Sequence, residues 1–159
     1  MENVSRYETA QQIMACLPHR FPFLMVDAVS DLAPGESLTA LKQVSYADCP
    51  QGSPFASEFL IELLGQAAIL LFFSDGTQRS DRVQTLLVGV EQFAFHGEAR
   101  QGETLEARVR FQKLIANAAI IEGSVFVRGR LIAEGQLSAA FVPKAAKMPT
   151  ALQIAGAAG

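Results

Sequence analysis

The longest apolar run covers residues 57–73, S-E-F-L-I-E-L-L-G-Q-A-A-I-L-L-F-F, and after its first two residues only Glu62, Gly65 and Gln66 interrupt it. A membrane span needs roughly 20 apolar residues, so the run predicts a buried helix instead. A helix apolar on every face must be covered on every face. Glu62 and Gln66 stand four apart and share one face. A carboxylate inside such a helix is costly unless it is paired, hydrogen-bonded or protonated, which makes Glu62 the first residue to examine for chemistry.

The rest of the pattern is organised around that helix. Residues 7–17 predict a short helix with Ile13, Met14 and Leu17 as its apolar stripe, stopped by Pro18. Two prolines in L-P-H-R-F-P place His19 and Arg20 in an extended connector. Residues 23–31 and 36–46 predict a hairpin around Pro34-Gly35, which suits a type II turn. Residues 47–56 are irregular, punctuated by Pro50, Gly52 and Pro54. Ser57 is the expected N-cap of the long helix, with Glu58 at the positive end of its dipole. Four strands are predicted over 85–95, 105–115, 118–127 and 131–142, the last two joined by a tight turn at Arg128-Gly129-Arg130. The expected architecture is α+β: a curved antiparallel sheet of six strands wrapped around one long central helix. One sheet leaves a flank of that helix bare, which predicts dimerisation. Residues 1–143 form the expected single domain, and 144–159 an alanine-rich, loosely held tail.

Composition narrows the field. The chain has 159 residues, half of them hydrophobic, and a net charge of -3. With no basic patch, nucleic acid is not an expected partner. Cys16 and Cys49 lack C-x-x-C spacing and read as reduced thiols of a cytosolic protein, a disulfide between them being left open. The start M-E-N-V-S-R-Y-E lacks the basic and apolar regions of a signal peptide, so a cytoplasmic protein is expected. No metal or redox cofactor is expected.

Five segments in order resemble the 3-hydroxyacyl-acyl carrier protein dehydratases, which have the hot-dog fold and are dimeric through sheet edges. They are L-P-H-R-F-P-F-L-M-V-D (17–27), A-P-G-E-S-L-T-A-L-K-Q-V-S (33–45), F-L-I-E-L-L-G-Q-A-A (59–68), G-V-E-Q-F-A-F-H-G-E-A-R-Q-G-E-T-L (89–105) and G-R-L-I-A-E-G-Q-L-S-A-A-F-V (129–142). The resemblance implies a hydro-lyase that removes water from a 3-hydroxyacyl thioester in fatty acid or polyene biosynthesis. The substrate would arrive as acyl-phosphopantetheine on acyl carrier protein. It implies a homodimer or higher oligomer, with a heterodimer also open. A branch from aryl-polyene pigment pathways is similar as well. The departure is the segment before the helix: the family's G-H-F-P, with its catalytic histidine, is replaced by the shorter, histidine-free D-C-P-Q-G-S-P-F-A-S-E.

By the resemblance Glu62 is the catalytic acid, expected to be protonated through desolvation, with Gln66 one turn on to orient it or a water. Ser57 falls where the family has the glycine whose N–H polarises the thioester carbonyl, and a helix N-terminus suits an enolate oxygen. For the base, His19 is the first candidate and His96 and Asp48 the others. Cys49 lacks an adjacent base, and Arg20 either anchors the connector or meets a carrier-protein acid. Phe55 and Phe59, like Phe21, Phe23 and Phe93, suit core or acyl-tunnel lining. Two alternatives remain open: a catalytically silent hot-dog subunit that binds the acyl carrier, and a hot-dog thioesterase in which Glu62 activates water.

Overall fold

A computed structural model describes residues 7–145. The predicted tail therefore lies almost wholly outside the described residues.

Helix α1 (Ala10–Cys16) starts at Thr9, whose side chain accepts from Gln12 N–H while the Gln12 side chain accepts from Thr9 N–H. This capping box starts the helix later than the apolar pattern alone predicts. Tyr7 instead turns inward, 2% exposed, and its hydroxyl donates to the Leu70 carbonyl at 2.6 Å.

Strands β1 (Ala28–Ala33) and β2 (Ser37–Gln43) form the first hairpin. At their turn Gly35 has φ 73° and Glu36 N–H donates to Ala33 O at 2.9 Å, the type II geometry that only glycine adopts cheaply. The first strand begins at Ala28 and not at residue 23, because Met25 N–H donates to the Gln66 side chain instead of a sheet neighbour. The second ends at Gln43, and short 3-10 turns at Tyr46–Asp48 and Pro50–Gly52 follow.

Helix α2 (Glu58–Phe73) occupies the predicted run. Ser57 stands at its start in helical φ/ψ with no side-chain capping bond, so its expected capping role is not seen. Strands β3 (Val83–Phe95), β4 (Thr104–Ile115), β5 (Ala118–Val127) and β6 (Arg130–Pro143) complete one antiparallel sheet in the order β1-β2-β4-β5-β6-β3. The β5–β6 turn has Arg128 and Gly129 both at positive φ, as a two-residue type I′ hairpin requires. Register shifts in four of the five strand pairs let the sheet bend.

The core lies between the sheet and α2, which packs on β2, β4 and β5. Leu64 shows how close this contact is: a Cβ on Gly123 of β5 would sit 2.9 Å from its Cδ1. Leu64→Ala is expected to cost about 2–5 kcal/mol and Gly123→Ala about 1–3 kcal/mol. The double variant should lose less than both together, since each change makes room for the other. Urea unfolding of the three variants checks this; strict additivity would contradict the contact.

The flank of α2 carrying Ile61, Glu62, Gly65 and Ile69 is only partly covered. The helix is thus sheathed on most of its surface and open along one stripe.

Candidate active site

The connector between α1 and β1 is held by its own polar groups. Arg20 donates to the carbonyls of Met14 (3.1 Å), Leu17 (2.8 Å) and His19 (2.6 Å), closing the C-terminal end of α1. Phe23 and Leu24 N–H both donate to Arg20 O, turning the chain. Arg20 therefore anchors the connector, the first of its two expected roles. Phe21 and Phe23 stand out into solvent, 90% and 62% exposed, and not in the core.

This folding brings His19 onto α2. His19 Nε2 lies 3.2 Å from Glu62 Oε1, and Gln66 Nε2 donates to the same oxygen at 2.8 Å. His19 Nδ1 is buried without a hydrogen-bond partner among the described residues. The hydrogen bond from His19 holds the Glu62 carboxyl below the usual glutamate range; burial pushes it up, but Gln66 and the charge on His19 pull it down further. This corrects the expectation of a protonated Glu62: desolvation is present, and the donors outweigh it.

A testable consequence follows from the sign. Because the folded-state value is lowered, the stability this carboxylate contributes is complete above about pH 4.5, its ordinary value, and is lost as pH falls through the folded value. His19→Ala should raise the Glu62 titration and flatten that acid limb. Carbon-13 NMR of the side-chain carboxyl reads this directly, and an unchanged titration would rule out the pairing.

The pair opens on a cavity of about 510 Å³ between α1, the bare stripe of α2 and the inner faces of β3 and β6. Its apolar part is formed by Ala68, Ile69 and Phe73 from α2 with Leu137, Ala139 and Phe141 from β6. The alternating buried residues of β6 were legible in the sequence, but not that a cavity lies over them. Cys16, read from the sequence only as a reduced thiol, also lines it.

The other expected site residues lie elsewhere. Phe55 is buried and packs edge-on against Phe59, with ring centres 5.8 Å apart, and neither ring nor Ser57 lines this cavity. His96, just past the end of β3, faces Glu134 at 3.1 Å and is exposed. Phe93 lies against Gly135, where a Cβ would collide with it. Asp48 Oδ2 accepts from Lys42 Nζ (3.1 Å), Ser45 N–H (2.8 Å) and Ser45 Oγ (2.9 Å). Against the burial that raises it, these donors hold Asp48 below its ordinary range. Lys42, only 6% exposed, follows Leu38 and Ala40 on the inward face of β2, where alternation places it although its charge argues for the other face. Cys49 is buried, and both cysteines are free thiols. Among the described residues no cluster of three His, Cys, Asp or Glu could hold a metal, and no helix is long and apolar enough to cross a membrane.

No protein-family model matches the chain. Among curated proteins it is 34% identical over 109 residues to the 3-hydroxyacyl-acyl-carrier-protein dehydratase FabZ of Pseudoalteromonas translucida, covering 65% of this chain and 73% of the relative. It is 35% identical over 114 residues to FabZ of Thioalkalivibrio sulfidiphilus, covering 65% and 76%. The chain belongs to the FabZ dehydratase family.

Solved structures agree on the fold of this FabZ-family chain. The dehydratase heterocomplex ApeI:P from Xenorhabdus doucetiae matches with TM-score 0.70 at 18% identity, covering 89% of this chain and 96% of that one. A mutant thioesterase, PA1618 from Pseudomonas aeruginosa, matches with TM-score 0.67 at 15% identity, covering 88% and 100%. The fold is the hot-dog fold, one antiparallel sheet around a central helix. Within it the helix carboxylate Glu62 and the connector histidine His19 of this FabZ-family chain are in contact.

Proposed function

We propose that the protein is a cytoplasmic dehydratase that eliminates water from a 3-hydroxyacyl thioester carried on acyl carrier protein, giving the trans-2-enoyl thioester for fatty acid or polyene biosynthesis. The observation that carries the reading is the His19–Glu62 pair at the edge of a largely apolar cavity. The elimination breaks C2–H and C3–O and forms the C2=C3 double bond, and hydroxide departs with one proton as water. One proton is taken and one is returned, so an ionised carboxylate can serve both transfers.

A dimer, of two copies or with a second hot-dog chain, completes the site. Strand β3 is a sheet edge carrying exposed Leu86, Leu87, Val88 and Val90, and Leu87 also borders the cavity. A strand paired there would cover both. A part for Ser57, Phe55 and Phe59 in substrate binding then requires the cavity of the partner protomer, since they stand away from their own.

One observation favours a catalytically silent, carrier-binding subunit instead. The segment that replaces G-H-F-P offers no evident base: Asp48 is held through Oδ2 by Lys42 and Ser45, and Cys49 is buried. The test is the purified chain with a trans-2-enoyl-acyl carrier protein. Addition of water without release of thiol supports the dehydratase. Release of free thiol indicates a thioesterase, and no turnover indicates the silent subunit.

A further inference from the structure

Gln66 is buried, 0% exposed, in the wall of the cavity beside Glu62. Its one amide makes three hydrogen bonds. Oε1 accepts from Met25 N–H at 2.8 Å, and Nε2 donates to Phe23 O at 2.7 Å and to Glu62 Oε1 at 2.8 Å. Both amide hydrogens and one acceptor site are thereby used, a set that no other side chain reproduces in this shape. Phe23 and Met25 belong to the connector that carries His19, whose Nε2 reaches the same Glu62 oxygen. Two donors thus converge on Oε1, and none of the described residues donates to Oε2. An oxygen that accepts two hydrogen bonds is the weaker base of the two, so the carboxylate is made asymmetric by its surroundings.

We infer that Gln66 is a positioning residue that locks the His19 connector to α2 and holds Glu62 by Oε1, leaving Oε2 as the atom that takes the C2 proton and returns it to the departing hydroxyl. The proton transfer rests on the dehydratase reading; the clamp itself does not. A purely structural glutamine would stabilise the connector without setting the state of Glu62.

The test uses the full chain with two variants. Gln66→Met removes all three bonds at similar volume. Gln66→Glu keeps an acceptor for Met25 N–H but sets a second carboxylate against Glu62, and it carries the test where Gln66→Met does not fold. Two quantities are read: the carbon-13 titration of the Glu62 carboxyl in the resting protein, and kcat and KM for hydration of a trans-2-enoyl pantetheine thioester. Both variants are expected to raise the Glu62 titration, Gln66→Glu more, and to lower kcat about tenfold or more with KM nearly unchanged. A Glu62 titration unmoved in both variants, or kcat unchanged in both, overturns the inference. A wild-type chain without turnover sinks the dehydratase reading and not the clamp, which the titration alone decides.

Discussion

Glu62→Gln is expected to lower kcat for enoyl-thioester hydration by about 10²–10⁴-fold while leaving KM close to wild type and lowering the melting temperature only modestly, by the contribution the ionised carboxylate makes. The substitution is nearly isosteric. An amide oxygen at the Oε1 position still accepts from His19 and from Gln66, which now lie 3.2 Å and 2.8 Å away, so the connector stays on α2. What is lost is an atom able to take a proton. His19→Gln should cost less than Glu62→Gln, because a donor toward Oε1 survives in it. Asp48→Asn should leave the rate almost unchanged, since Asp48 is held through Oδ2 by Lys42 and Ser45 and stands apart from the cavity. Steady-state kinetics on the three variants separates the alternatives. Full activity in Glu62→Gln would remove the carboxylate from the chemistry, and a collapse in Asp48→Asn would move the site to the segment before α2.

The extent to which this site could be read in advance follows from the range of the forces involved. Helix α2, the type II turn at Gly35 and the type I′ turn at Arg128-Gly129 depend on neighbours in sequence, and the apolar run and the turn residues show them directly. The start of β1 depends on Gln66, far along the chain, capturing Met25 N–H, and no local pattern reports that bond. The pairing of His19 with Glu62 has the same origin: the two residues are recognisable one by one through the family resemblance, but their contact is made by the turn at Arg20. For Glu62 the sequence shows apolar neighbours and therefore desolvation, which raises a carboxyl, while the two donors that lower it come from tertiary structure. Phe55 and Phe59 illustrate the converse. Aromatic residues near a catalytic position suggest a tunnel, and here they pack on each other outside the cavity lining.

The second large effect concerns the edge of the sheet. Strand β3 runs for 13 residues with a neighbour on one side only, and Leu86, Leu87 and Val88 are 43%, 51% and 69% exposed. A long apolar edge of this kind is unstable as a free surface and is expected to pair with another chain. Val88 is the position to alter. The register passes from Leu87–Ala139 to Gly89–Ser138, so Val88 falls in a bulge outside the β6 ladder, and its replacement spares the fold. Val88→Lys places a solvated charge on the edge, and Val88→Pro removes a backbone donor from it. Both are expected to shift the protein from twice the 17.1 kDa chain mass to the chain mass in light scattering at micromolar concentration, with association weakened about tenfold or more. Turnover should fall with dimer content, because Leu87 borders the cavity and a missing partner strand opens it to water, where every charge interaction inside it weakens. A wild-type chain that is monomeric at these concentrations and fully active would show that β3 needs no partner and that the cavity of a single protomer is the whole site.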